Sequence, residues 1–170
     1  MNCKLCIYRD GWRICFAVFL VACLHASDIS ISIPGGGCTI SPPSGWTIAP
    51  AVHLVFRGPI TGNRTEDAPR MAITCAEAGV DSTADSLRDG IRRVADGCEI
   101  LNDDSVPLGG RTWRRIRSRF AAGPLAFGQI AWISSVDGRT IVVVLSAPDD
   151  AIVAHLGPAA AAVGSIRAER

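Results

Sequence analysis

Lysine is nearly missing from this 170-residue chain: Lys4 is the only one beside 16 arginines. An excess of either charge is missing too. Lys and Arg number 17 and Asp and Glu 16, so neither a basic nucleic-acid arm nor an acidic tail is implied. No apolar run approaches the ~18 residues of a membrane-spanning helix, so a polytopic membrane protein is excluded. Histidine is scarce, and His25, His53 and His155 show no His-x₃-His or similar ligand spacing. No Gly-x-Ser-x-Gly elbow occurs, and the stretch from Gly58 to Thr65 is one residue short of a phosphate loop and lacks its lysine. No metal and no cofactor are therefore expected. There is no internal repeat. Charged residues at 19% and hydrophobic ones at 48% exclude wholesale disorder.

What is present begins with a leader. Lys4, Arg9 and Arg13 precede an uninterrupted apolar stretch, 14–22. A positive start followed by a short apolar run is the pattern of a secretory signal. That charge order favours a signal over a buried core helix. Two cleavage points compete. Leu24-His25-Ala26 offers a small-residue site with release after Ala26. Leu20-Val21-Ala22-Cys23 resembles a bacterial lipobox, whose Cys becomes the lipidated first residue. Each buried acyl CH₂ would add about 0.8 kcal/mol of anchoring. Lipidation of Cys23 is the reading carried forward, because it alone assigns that Cys a chemical role. Residues 1–22 are then the leader, 23–37 a linker or extended lead-in, and 38–170 a single domain. Beyond the leader stand 14 Arg against 15 Asp and Glu.

Of seven cysteines, Cys3, Cys6 and Cys15 leave with the leader. Cys3-x-x-Cys6 has redox or zinc spacing but no second pair. Cys38, Cys75 and Cys98 remain after Cys23, so at most one intramolecular disulfide can form. Cys75 sits in an alternating strand pattern and reads as a small core hydrophobe. Cys38 and Cys98 are the candidate disulfide pair, though spacing alone does not fix connectivity.

Along the domain, alternation predicts strands at 28–33, 38–41, 52–57 and 70–76, the last with Met71, Ile73 and Cys75 on one face. Residues 58–69 read as an exposed loop. Helical spacing then takes over through Ala84, Leu87, Ile91 and Val94, predicting an amphipathic helix over 83–96. Ser82 with Asp85 resembles its capping box, and Gly97 is its stop. Short strands at 98–101 and 106–108, a long one from Arg111, and a hairpin 125–146 turning at Asp137-Gly138 follow. Continuous apolar character from Ile141 to Leu145 predicts a strand covered on both faces. Pro148-Asp149-Asp150 is expected to open a last helix, which Gly157-Pro158 should kink or split. The class is α+β, a mostly antiparallel sheet of about six strands flanked by two main helices.

The segment from Arg111 to Arg119 is the most distinctive. On a strand, Arg111, Trp113, Arg115, Arg117 and Arg119 share one face. The sharp reading is a cationic face for an envelope protein or an anionic membrane surface, with Trp113 as aromatic anchor. The bland reading pairs the charges with acids on neighbouring strands, and base rates favour it. Nucleic acid is not an expected partner. Asn63-Arg64-Thr65 fits a glycosylation sequon, which a bacterial lipobox makes irrelevant.

The layout resembles the PsbP-like fold family, an α/β sandwich that includes bacterial envelope proteins of the DcrB and LpqN kinds. The residues that carry the resemblance are Ile40-Ser41-Pro42-Pro43-Ser44-Gly45-Trp46 near the start of the domain. Val52–Phe56, Met71–Cys75, a Ser-capped helix, Gly109-Gly110-Arg111 before a long strand, the final hairpin and Ser165-Ile166 follow in matching order. The resemblance covers nearly all of 38–167. The arginines of 111–119 depart from it. It implies partner binding or help in envelope assembly, with no shared catalytic residues. The expectation is an exported, lipid-anchored, non-enzymatic envelope protein on the periplasmic or extracellular face. A small-ligand carrier is the alternative, with a pocket between sheet and helix lined by Trp46, Phe56 and Trp132. A third reading is an enzyme built on Cys38 and a histidine.

Overall fold

The computed structural model describes residues 29–49, 53–59, 68–94, 97–122 and 125–169. The expected leader 1–22 with its Cys3/Cys6 pair, Cys23 and the 63–65 sequon lie outside the described residues.

Five strands come first: β1 (Ile31–Ile33), β2 (Cys38–Ile40), β3 (Thr47–Ala49), β4 (Leu54–Arg57) and β5 (Arg70–Ala76). Helix α1 (Val80–Val94) follows. Then come β6 (Glu99–Leu108), β7 (Arg111–Ala122), β8 (Leu125–Val136), β9 (Arg139–Pro148), helix α2 (Ile152–Gly164) and β10 (Arg167–Ala168). Seven strands form one sheet in the order β3-β4-β5-β9-β8-β7-β6, and β1-β2-β10 form a smaller one. Every pairing is antiparallel. The class is α+β, as expected, with a wider sheet than the six strands anticipated.

Two tight turns place the long strands. Gly109-Gly110 has φ of 60° and 75°, and Asp137-Gly138 has 51° and 76°. Two successive left-handed residues are what a type I′ hairpin turn requires, and its twist matches that of the flanking strands. The alternation of β5, β8 and β9 then sorts side chains between two faces. Ile116, Ala131, Ile133 and Val142 meet Ala84 and Leu87 of α1. Trp113, Ile130, Trp132, Ile141, Val143 and Leu145 meet Ile152, Ala159, Ala162 and Val163 of α2, together with Ile33, Cys38 and Ile40 of the small sheet. Strand β9 is buried on both faces, which is why it reads as a continuous apolar run.

Several expectations need correcting. Residues 98–108 do not form two short strands: β6 runs unbroken in sequence, with a register shift between Ile100 and Asn102. That bulge absorbs the one residue that breaks the alternation. Helix α1 starts at Val80, so Ser82 is inside it and caps nothing; Thr83 instead bonds back to Gly79 and Ala78. Strand β9 extends through Pro148 and α2 starts only at Ile152, without a side-chain cap. Pro158 does not split α2. It removes one backbone donor on the exposed side. Burial of Ile152, His155, Ala159, Ala162 and Val163 along the other side outweighs a proline penalty of about 3 kcal/mol. The 58–69 loop is not exposed throughout: Ala68 and Pro69 are buried, and Gly58 N–H donates to Pro69 O at 2.9 Å.

Cys38 and Cys98 do not pair; both are free, as is Cys75. Cys98 precedes β6, at one edge of the large sheet. Its neighbour Glu99 pairs with Arg119, whereas Cys38 pairs with Ala168 of β10, two residues from Ile166, which Arg111 binds at the other end of β7. The stretch of β7 from Arg111 to Arg119, at about 3.3 Å per residue, separates the two thiols by far more than the reach of a disulfide.

Candidate functional site: the arginine strand and the cleft under the first hairpin

Strand β7 puts Arg111, Trp113, Arg115, Arg117 and Arg119 on the α2 side of the sheet, since Ile116 between them belongs to the α1 side. Trp113 is fully buried, so it is a core residue and not an interface anchor. Most of the arginines are engaged. The Arg115 guanidinium grips Asp104 of β6 through two bonds, 2.9 and 2.6 Å. Arg119 meets Asp149 at 3.0 Å, and Arg111 donates to Ile166 O at 3.3 Å. Arg117 has no ionic or hydrogen-bonding partner among the described residues. The strand is thus mainly a structural ladder of ion pairs, with Arg117 as its one unpaired cation among the described residues and the half-exposed, Asp149-paired Arg119 beside it.

The opposite face of β7 carries a second network. Arg114 reaches Asp103 of β6 at 2.9 Å and Asp81 of α1 at 2.8 Å. Arg88 of α1 meets the same Asp103 at 2.6 Å and also Asp85. These five side chains fasten α1 to the edge of the sheet. The Arg114 hydrogen bond holds the Asp103 carboxyl below the usual carboxylate range, and the Arg115 bond does the same for Asp104.

A carboxyl depressed in the folded state contributes stability above its unfolded value and loses it as pH falls through the folded one. The urea midpoint should therefore decline as pH falls below the ordinary carboxylate range of about 4. Asp103→Asn should cost about 1 kcal/mol at neutral pH, a figure kept low by partial exposure. It should also flatten that acid decline. An unchanged acid limb would remove Asp103 from the network.

A cleft of about 530 Å³ opens where the β1–β2 turn overhangs β4, β5 and the β8–β9 turn. Its walls include Pro34, His53, Ile73, Cys75, Glu77 and Arg139. Arg139 donates to Gly35 O and so ties the overhanging turn to the sheet. The volume suits a small ligand. It is not the pocket expected between sheet and helix: Trp46, Phe56 and Trp132 are buried within the continuous core. His155 is also buried, edge-on to Trp46 at 5.9 Å.

Thiol chemistry finds no activated nucleophile here. Burial pushes the Cys75 thiol up, only partly opposed by Arg139. Cys38 is fully buried and bonded to Gly36 O at 3.1 Å, and burial raises it as well. Sequence reasoning missed this cleft. The inward face of Cys75 was legible from the alternation of β5, but no local signal says that residues 34–37 would fold over it. Among the described residues no group of three or more His, Cys, Asp or Glu is arranged to hold a metal ion. No described helix is long and apolar enough to cross a membrane.

No family model matches the chain, and no curated protein sequence matches it. Solved structures do. LpqN of Mycobacterium tuberculosis, described as involved in cell envelope biogenesis, superposes with a TM-score of 0.57 at 14% identity, over 78% of this chain and 84% of that one. PsbP (CyanoP) of Synechocystis gives 0.55 at 16% identity, over 82% and 91%. The Ran-binding protein Mog1p of Saccharomyces cerevisiae gives 0.51 at 11% identity, over 83% and 95%. The chain has the PsbP-like fold.

Proposed function

We propose that this chain is an exported, non-enzymatic binding protein of a bacterial envelope, tethered by lipid on Cys23. The observation that carries the reading is the fold shared with LpqN, joined to a leader whose apolar stretch ends at Leu-Val-Ala-Cys23. A fold assembled from ion-paired strands and a filled core, with its thiols pushed up, supports binding over catalysis. The first experiment is the intact mass of the product from the membrane fraction of a bacterial host. Loss of residues 1–22 with acyl mass on Cys23 is expected. A soluble product starting at Ser27 would overturn the anchor.

The partner surface is the Arg117/Arg119 end of β7, and the partner is an acidic segment of an envelope protein. Arg117→Ser with Arg119→Ser should weaken capture of that partner at least several-fold, without moving the thermal midpoint by more than a few degrees. Arg115→Ser is the contrast, since it strands Asp104 and should lower stability. Retained capture by the double variant would dismiss the surface. Sedimentation with anionic vesicles but not with protein would transfer it to lipid.

The cleft supports a second reading, a small-ligand carrier. A thermal-shift screen that finds no stabilising ligand would count against it.

A further inference from the structure

The β1–β2 turn brings two thiols to one residue. Cys38 Sγ donates to Gly36 O at 3.1 Å. Cys75 Sγ approaches Pro34 O at 3.6 Å, and a Cβ added at Gly36 would lie only 2.9 Å from that same sulfur. Both sulfurs therefore pack against Gly36, one from each layer of the sandwich. Cys38 faces inward from the small sheet, and Cys75 faces the same interlayer space from β5 with Met71 and Ile73. Facing layers normally stand about 10 Å apart, too far for a disulfide. Here the turn descends onto the sheet, which it can do because Gly36 has no side chain. Arg139 holds it down through Gly35 O.

We propose that Cys38 and Cys75 are a cross-linking pair, which a disulfide oxidant converts to an intramolecular disulfide joining β2 to β5. The half-exposed Cys75, as thiolate, attacks one sulfur of the oxidant and forms a mixed disulfide while one thiol leaves. Cys38 then displaces the second thiol as the Sγ–Sγ bond forms. Two protein thiols lose two electrons and two protons, and the oxidant's S–S bond gains them. Burial raises both thiols, so the reaction is slow at neutral pH and accelerates as pH rises. The inference uses the export reading only for its setting, since an oxidising compartment is where such a bond persists. With Cys23 carrying lipid, it leaves Cys98 as the single free thiol.

The test is oxidation of the purified full chain by glutathione disulfide at pH 8 to 9, followed by intact mass and peptide mapping without reductant. A cross-linked peptide containing Cys38 and Cys75, two hydrogen masses lighter than its two reduced halves together, is expected. The thermal midpoint should rise on the order of 10 °C, because the bond closes a long loop in the unfolded chain. Cys98→Ser should retain the cross-link, and Gly36→Ala should suppress it by lifting the turn off Cys75. A link through Cys98, or Cys38 and Cys75 both still free after native-state oxidation, would overturn the pairing. This assay works on protein from any compartment, so failure of export and failure of the pair are told apart.

Discussion

Gly109→Ala should destabilise the protein by about 3 kcal/mol, while Gly110→Ala next to it should cost only about 1 kcal/mol. Both glycines have left-handed φ, 60° and 75°, so both alanines meet the same backbone penalty. Their surroundings differ. Nothing lies within 4 Å of a Cβ at Gly110, whereas a Cβ at Gly109 would stand 1.9 Å from Gly164 O. That oxygen belongs to the end of α2, where Ser165 N–H closes the last turn onto Ala161 and Ala162 carbonyls. A backbone atom cannot rotate away as a side chain can. The β6–β7 turn and the helix end would have to separate, loosening Val163 and Ile166 from the core. Urea denaturation of the two variants side by side is the measurement. Equal losses would mean that the turn does not dock on the helix.

Trp113→Ala is expected to cost about 3–5 kcal/mol, and to lower the thermal midpoint by roughly 10 °C. Trp113 is fully buried between β7 and α2, and truncating so large a side chain leaves a cavity that the surrounding strands cannot close. Its buried Nε1 has no hydrogen-bond partner among the described residues. An unpaired indole donor already costs free energy. Trp113→Phe removes that donor along with part of the ring, so its loss should be clearly smaller than that of the alanine variant. The alternative role for Trp113, an exposed anchor among arginines, predicts the reverse: partner binding lost with stability unchanged. Thermal unfolding alone separates the two.

Much of this molecule was legible as one-dimensional pattern. The period-two alternation of Met71, Ile73 and Cys75, the apolar stripe through Ala84 and Leu87, and the Asp137-Gly138 turn each report a local backbone preference. Such preferences depend on neighbours a few residues away. The common face of Arg111, Trp113, Arg115, Arg117 and Arg119 follows from the same period. Local pattern misled where tertiary packing overrode it. Pro158 stays inside α2 because a buried face pays for one missing hydrogen bond, and β6 spans Asn102-Asp103-Asp104 because Arg114 and Arg115 stand opposite to neutralise the acids.

The candidate site was less legible, for the same physical reason. The sequence by itself determined which residues face which way, and so the α+β class and the position of each arginine on β7. Only the tertiary structure decided what each of them meets: Asp104 for Arg115, Asp149 for Arg119, the core for Trp113, and the Gly36 turn for both Cys38 and Cys75. Direction is a property of the local backbone period. Contact depends on the register and layering of segments far apart in the chain, set by the packing of the whole core.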